Sequence, residues 1–267
     1  MGSEQSTADA LRQTVRKREE VLSALRASTT RKPELVDALG VSRSTVDRAI
    51  DALTESGLVR RVDGEYHVTP QGRLALEAYR TYVERTEVCA EAAPLLANIP
   101  LDASIDRSLL EPGTIRVAEP HAPENAITDA VNELQSSDEL LVVSPVVKSS
   151  YVRLVHEEVE ERGLEVDLVL GQGASESLGS LVDVTEAVEG LLDAGSFSLY
   201  ETDADLPYML YLLLGGETDA VGVTVHEDGG IVGSVTSRDP DAVEWARDRF
   251  DAFFATAEPV PDSALEL

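Results

Sequence analysis

The sequence predicts an α/β protein of two domains, the first built from short helices and a β-hairpin and the second from alternating strands and helices. Apolar residues recur at helical spacing up to residue 55, and a turn signal follows, whereas strand-like and helical segments alternate after residue 100. Charge is divided in the same way. Residues 1–90 hold 14 basic and 14 acidic residues, and residues 91–267 hold 8 and 36, which accounts for the net charge of −28. The two segments therefore differ in both pattern and electrostatics.

Three helices are predicted in the first domain. The first covers residues 10–27, and the second begins near Pro33 and ends before Gly40. Ser42 offers an N-terminal cap to the third helix, Arg43–Glu55, which has one apolar stripe. Two short helices joined by a Gly-containing turn form a helix-turn-helix, which presents its second helix to the major groove of DNA.

Hydroxyl and cationic side chains occupy the first half of the third helix, opposite its apolar stripe. Arg pairs bidentately with guanine, and Ser and Thr hydroxyls bind base edges or phosphates. Asp51 and Glu55, later on this face, would have to point away from the phosphates. The predicted DNA-binding residues in and around this helix are Lys32, Ser42, Arg43, Ser44, Thr45 and Arg48.

A β-hairpin is predicted directly after the third helix, because two strand-like runs flank Asp63-Gly64. Arg60 and Arg61 in the first run can reach the phosphate backbone or the minor groove. Such contacts add affinity and register more than sequence choice.

The first domain resembles the winged helix of prokaryotic transcriptional regulators over about sixty residues. The residues that carry this resemblance are Ser42-Arg-Ser-Thr-Val-Asp-Arg-Ala-Ile50, Leu53, Ser56-Gly-Leu-Val59, Tyr66 and Thr69-Pro-Gln-Gly72. The resemblance implies that the helix begun at Ser42 is the recognition helix and that the hairpin is the wing. Winged helices also serve as protein-interaction modules, and that alternative stays open.

Residues 71–97 are helical in composition and carry much apolar surface, so they are expected to connect the domains. Such a helix packs either against its mate in a homodimer or against the same chain, and the sequence allows both. The predicted organisation is a winged helix-turn-helix over residues 1–70, a linker or dimerisation helix over 71–99, an α/β domain over 100–260 and a tail over 261–267.

The second domain is predicted to be an α/β sheet with parallel strands, because strands and helices alternate along it. The last two strands are expected to form a hairpin about Asp228-Gly-Gly230. Strands are predicted at 114–118, 139–143, 165–170, 196–200, 209–214, 220–225 and 231–235, and helices at 124–135, 149–162 and 242–257.

This second domain looks like the effector domain of archaeal regulators related to the Fil-type methanogenesis regulator, in the runs Leu141-Val-Val-Ser-Pro145 and Gly163-Leu-Glu-Val-Asp-Leu-Val-Leu170 and in the final Trp245 helix. Such a domain is similar to a phospholipase D-like half, whose catalysis needs a His-x-Lys-x4-Asp motif. No histidine of this chain is followed two residues later by Lys. The resemblance therefore implies a non-catalytic sensor domain, and no catalytic residue, cofactor or metal site is predicted.

A candidate anion pocket follows one buried strand of this domain. Ser144-Pro145 ends the strand, and Lys148-Ser149-Ser150 opens the next helix, at the strand end where open α/β sheets bind ligands. Arg116 and Tyr151 are weaker candidates to line it. A small anionic effector, such as a phosphorylated metabolite or a carboxylate, is expected there; a solvated Lys148 with Ser149 as a helix cap is the alternative.

The acidic surface and the scarcity of Lys are typical of proteins from salt-loving organisms, and a uniformly acidic surface repels nucleic acid and anionic membranes. Residues 12–61, with 11 basic and 7 acidic residues, are the exception. The lone Cys89, the absence of an apolar run near 18 residues and the lack of a leader pattern predict a cytoplasmic protein without a membrane partner.

Together these features predict a sequence-specific transcriptional regulator that binds double-stranded DNA as a homodimer. Its C-terminal domain would sense a ligand or dimerise. Two alternatives remain, an α/β enzyme tethered to DNA and a winged-helix protein-interaction module.

Overall fold

The structure is a computed structural model that describes residues 2–28, 31–179 and 184–261. It divides into two compact units, Met1–Glu87 and Val88–Leu267. The boundary falls within the predicted connecting segment 71–99. Of the predicted tail, only Pro261 belongs to the described residues, and positions 262–267 lie outside them.

The first unit is a winged helix-turn-helix, as predicted. Its first helix begins before the expected residue 10 and has a non-helical backbone at Arg18 (φ −127°, ψ 17°). The last helix continues across the boundary of the units. In chain order the elements are α1 Gly2–Ala27, α2 Lys32–Leu39, α3 Arg43–Glu55, β1 Val59–Val62, β2 Glu65–Val68 and α4 Pro70–Glu91.

Local signals in the sequence fix the turns of this unit. Gly40 ends α2 in the left-handed conformation (φ 64°), and its N–H donates to the Val36 carbonyl at 3.0 Å. Asp63 and Gly64 both have positive φ, 50° and 90°, as a two-residue hairpin turn requires. The apolar stripe of α3 is fully buried in the core of the unit.

The second unit is a sheet covered by helices. Its strands are β3 Thr114–Val117, β4 Glu139–Ser144, β5 Glu165–Gly171, β6 Phe197–Thr202, β7 Met209–Leu214, β8 Ala220–Glu227, β9 Gly230–Ser237 and β10 Ala257–Pro259. Its helices are α5 Ala93–Leu96, α6 Arg107–Leu110, α7 Thr128–Leu134, α8 Ser149–Arg162, α9 Ala174–Gly179, α10 Thr185–Asp193 and α11 Pro240–Phe254, with a 3-10 helix, Pro123–Ile127, before α7.

The sheet is mixed: three strands are parallel and the predicted hairpin of the last two strands is present, but the remaining strands are not parallel as expected. The described strands lie in the order β10-β6-β5-β4-β7-β8-β9-β3. β4, β5 and β6 are parallel, and the other neighbours pair antiparallel. The physical reason is the length of the connections: parallel neighbours need a crossover helix, and β7, β8 and β9 are joined by short turns.

Both faces of the sheet are buried, because successive side chains of a strand point to opposite faces. On β4, Leu140 and Val142 join one apolar cluster, and Leu141 and Val143 join the other. Helices α7, α8 and α10 contribute to the first cluster, and α11 contributes to the second.

Three details of the helices in the second unit differ from the prediction. The expected helix 124–135 begins as a 3-10 helix and becomes α-helical at Thr128. Helices α6, α9 and α10 were not predicted. Residues 242–257 were expected to be one helix, whereas α11 ends at Phe254 and β10 follows.

Candidate functional site

The start of α3 carries a cluster of hydroxyl groups. Ser42 caps the helix, and its Oγ accepts from the Thr45 N–H at 3.2 Å. The same Oγ lies 3.0 Å from the Ser44 hydroxyl and 2.8 Å from the Thr45 hydroxyl. Ser42 and Ser44 are exposed, so these hydroxyls are accessible at the positive end of the helix dipole.

Two exposed arginines flank this cluster. Arg43 is the first residue of α3, and Arg48 lies five residues further along. Arg48 Nε donates to the Ser44 carbonyl at 3.1 Å, which ties the side chain to the helix by a single nitrogen. Within the described residues, neither guanidinium is in an ion pair shorter than 4 Å, so both charges can meet an incoming anion.

Lys32 forms ion pairs with two carboxylates of α3. Its ammonium lies 2.7 Å from Asp47 Oδ1 and 4.0 Å from Asp51 Oδ1. The hydrogen bond to Asp47 raises the pKa of Lys32, and the same bond lowers the pKa of Asp47. Lys32 therefore pairs with carboxylates that would otherwise repel a phosphate. This pairing leaves the Lys32 ammonium less available for a direct contact with DNA.

The two wing arginines lie on opposite faces of the hairpin. Arg60 is opposite His67 in the register, and Arg61 is opposite Tyr66. The Arg61 guanidinium lies 5.8 Å from the centre of the Tyr66 ring, and the Lys32 ammonium lies 5.7 Å from it. Since neighbouring residues of a strand alternate, Arg61 shares the face of Lys32 and Arg60 points away from it. Both arginines are exposed.

In the second unit, three of the six predicted ligand-binding residues meet at one cavity. Ser144, Lys148 and Tyr151 line it, and Ser149 and Ser150 are not among its lining residues. Arg116 lies on β3, outside this lining, and forms an ion pair with Asp129. The predicted convergence of cations and hydroxyls is therefore only partly present.

The cavity has a volume of about 120 Å³ and lies on the face of the sheet covered by α7, α8 and α10. Strands β4, β5 and β7 form its floor. Nineteen of its 24 lining residues are apolar, and the other five are Ser144, Lys148, Tyr151, Tyr211 and Thr224.

The sequence did not predict a partly buried pair that joins the start of α8 to β8. The Tyr151 hydroxyl lies 3.0 Å from His226 Nε2, and burial raises the pKa of Tyr151. Burial, and then the charge of Lys148, lower the pKa of His226 to about 4, so its ring is neutral at pH 7. Its Nδ1 is buried without a hydrogen-bond partner among the described residues. The two residues are 75 positions apart, and no sequence signal joins them.

No group of three or more metal-binding side chains occurs among the described residues. In the same part of the chain, no helix combines the length and the apolar character needed to cross a membrane.

Comparison with known families adds to this geometry. The family model described as "Methanogenesis regulatory protein FilR1, middle domain" matches residues 120–256, half of the chain. The chain belongs to the FilR1 middle-domain family. A second model, the HVO_A0261 N-terminal domain, matches residues 7–91. The prediction of a winged-helix regulator of the archaeal type with a Fil-type effector domain is confirmed.

Several solved structures are also similar to this FilR1-type chain. TrmBL2, an archaeal chromatin protein, is 15% identical over 90% of this chain and 92% of its own, with a TM-score of 0.38. The phospholipase D family member Nuc from Salmonella typhimurium is 10% identical over 56% of this chain and 99% of its own, with a TM-score of 0.42. NucT from Helicobacter pylori is 9% identical over 55% of this chain and 98% of its own, with a TM-score of 0.40. No curated protein sequence matches the chain significantly.

Proposed function

We propose that this FilR1-type chain is a sequence-specific transcriptional regulator that binds double-stranded DNA through the start of α3 and the wing. One observation carries the proposal. Arg43, Ser44 and Arg48 are exposed in the first half of α3, while Lys32 pairs with the carboxylates of Asp47 and Asp51. Arg and hydroxyl side chains at the start of a recognition helix can read base edges.

The proposed roles of the contacting residues differ. Arg43, Ser44 and Arg48 are assigned to base edges, and Ser42 and Thr45 to the phosphate nearest the helix start, where free N–H groups favour an anion. Arg61, on the face shared with Lys32, is assigned to the phosphate backbone. Arg60 is assigned to the backbone beyond the wing or to the minor groove.

A homodimer is part of the proposal. Helix α4 exposes Leu74 and Tyr82, which are 69% and 64% exposed. They are eight residues apart and so lie on one side of the helix. A dimer would bury this apolar surface and place two recognition helices on two half-sites.

The second unit is proposed to sense a signal without catalysing a reaction, in the cytoplasm where the DNA is. Membership of a family of regulatory proteins favours this role over that of a DNA-tethered enzyme. The four cationic side chains on α3 and the wing favour DNA over a protein partner for the winged helix, because a protein-interaction module has no need of them.

Mapping of the chromosomal sites of the full chain tests the proposal, followed by measurement of its affinity for one mapped site and for the same bases in scrambled order. We expect a specific site bound at least a hundredfold more tightly than the scrambled duplex at equal salt. Equal affinity for both duplexes, or no enrichment of any site, would contradict sequence-specific regulation.

A further inference from the structure

The cavity beneath α7 and α8 is lined almost entirely by hydrocarbon side chains. Its walls come from Ala130 and Val131 of α7, Val152 and Val155 of α8, and alternate residues of the strands below. A bound molecule would therefore be held by apolar contact, which grows with the area removed from water.

The five polar side chains at the cavity already have partners within the protein. These hydrogen bonds are Ser144 Oγ to the Val146 carbonyl (2.7 Å), Lys148 Nζ to the Gly229 carbonyl (3.0 Å), Tyr151 to His226 (3.0 Å), Tyr211 to Thr236 (2.7 Å) and Thr224 to Ser234 (3.1 Å). Lys148 carries the only charge among the lining residues, so an anionic group held elsewhere along the apolar lining would have no counter-charge. A polar ligand thus gains little here, and an anion is disfavoured.

Size gives a second limit. An engineered cavity of about 150 Å³ lined by apolar side chains stays dry and binds benzene. The present cavity, at about 120 Å³, is of the same order and similarly lined. It suits a molecule of roughly one six-membered ring.

We propose that this cavity binds one small, uncharged, apolar molecule of about the size of an aromatic ring, and that this molecule is the signal of the second unit. The inference rests on the proposed sensing role and replaces the anionic effector with an apolar one. Lys148 then closes the cavity through its bond to Gly229 and does not contact a ligand charge.

Binding of toluene to the full-length protein, followed by NMR, tests the ligand class. We expect saturable binding and nuclear Overhauser effects between toluene protons and the methyl groups of Val142, Leu168 and Leu213. Benzoate has the same ring with a carboxylate, and inorganic phosphate has the charge without the ring. Both should bind at least tenfold more weakly than toluene. Tighter binding of either anion, or no contact between toluene and these methyl groups, would overturn the proposal.

Two matched variants locate the site. Ala130→Leu adds three carbons inside the cavity, and Ala252→Leu makes the same change on an exposed position of α11. Ala130→Leu should weaken toluene binding at least tenfold, whereas Ala252→Leu should change it by less than twofold. Equal toluene affinity of the two variants would contradict this location of the site. If Ala130→Leu fails to fold, the nuclear Overhauser effects in the wild type decide.

The affinity of the protein for its specific DNA site, measured with and without toluene, distinguishes failure of this inference from failure of the proposed function. If toluene does not bind but the protein binds its specific DNA site, only the proposal of an apolar ligand is overturned. Toluene binding without any specific DNA site overturns the regulator but leaves the cavity assignment standing.

Discussion

The cationic side chains proposed to face DNA differ in whether a carboxylate already pairs with them. Arg43, Arg48 and Arg60 are exposed, and within the described residues none of them is in an ion pair. Lys32 is bound to Asp47 at 2.7 Å. Since bidentate Arg contacts to guanine discriminate between bases and phosphate contacts do not, position decides what each arginine contributes.

Substitution of single arginines should distinguish contacts that recognise bases from contacts that bind the phosphate backbone. Arg48→Ala is expected to cost about 1–3 kcal/mol at the specific site and to relax the preference at one base position, whereas Arg60→Ala should weaken binding to all sequences alike. Competition binding against a randomised site measures both effects. Arg247→Ala, an exposed change in the second unit, is the control. Equal losses on specific and random DNA for Arg48→Ala would contradict the assignment.

Partial burial of His226 is expected to make the stability of the second unit depend on pH. The pKa of His226 is about 4 in the folded chain, against an ordinary value of 6.5. The unfolded chain therefore binds more protons between these values, so the stability that the neutral ring contributes is present above pH 6.5 and is lost as the pH falls toward 4. A shift of this size is worth at most ~3 kcal/mol, and because the ring is partly accessible to solvent we expect about 1–2 kcal/mol.

Denaturant unfolding at a series of pH values measures this loss. His226→Gln should lose about 1–2 kcal/mol less stability than the wild type between pH 6.5 and pH 4, because Gln cannot take up the proton. His121→Gln, at an exposed position, should behave like the wild type. Parallel pH profiles for wild type and His226→Gln would show that the His226 ring does not titrate as described.

At the scale of elements, α3 and α4 differ in what their surfaces can bind. α3 buries its apolar stripe completely and exposes cations and hydroxyls, whereas α4 exposes the large apolar side chains Leu74 and Tyr82. Exposed apolar side chains clustered on one side of a helix are typical of an interaction surface. In the proposed function, α3 therefore binds DNA and α4 contacts a second copy of the chain.

Disruption of the α4 surface should separate the copies. Leu74→Glu with Tyr82→Glu is expected to convert a dimer to a monomer in sedimentation velocity and to weaken operator binding about tenfold or more, since each copy then binds one half-site. Leu74→Met with Tyr82→Phe keeps the surface apolar and should remain dimeric. A monomeric wild type, or a dimeric Glu variant, would refute this role of α4.

At the scale of the whole molecule, charge is divided between the two units. The net charge of −28 arises entirely after residue 90, while the residues proposed to contact DNA lie in a segment with a positive balance. A polyanion such as DNA is repelled by the second segment and attracted by the first. Salt weakens both effects because the screening length falls from about 10 Å at 0.1 M to about 3 Å at 1 M.

Removal of the acidic segment should therefore strengthen DNA binding at low salt. A fragment of residues 1–97 is expected to bind the specific site more tightly than the full chain at about 0.1 M salt, and the difference should shrink toward 1 M. Affinity measured over a salt series, with the oligomeric state of each protein measured in parallel, provides the check. Weaker binding of a dimeric fragment at every salt concentration would contradict the electrostatic explanation.

Local sequence signals determined the winged helix, the bounds of α3 and α8, and the α/β character of the second unit. Caps, turn residues and apolar periodicity depend on residues a few positions apart, so they can be recognised in the sequence alone. The mixed order of the sheet, the pairing of Lys32 with Asp47, the Tyr151–His226 pair and the apolar cavity depended on the tertiary structure. Each brings together residues that are distant in sequence, and only the folded chain decides which side chains meet and which polar groups are already satisfied.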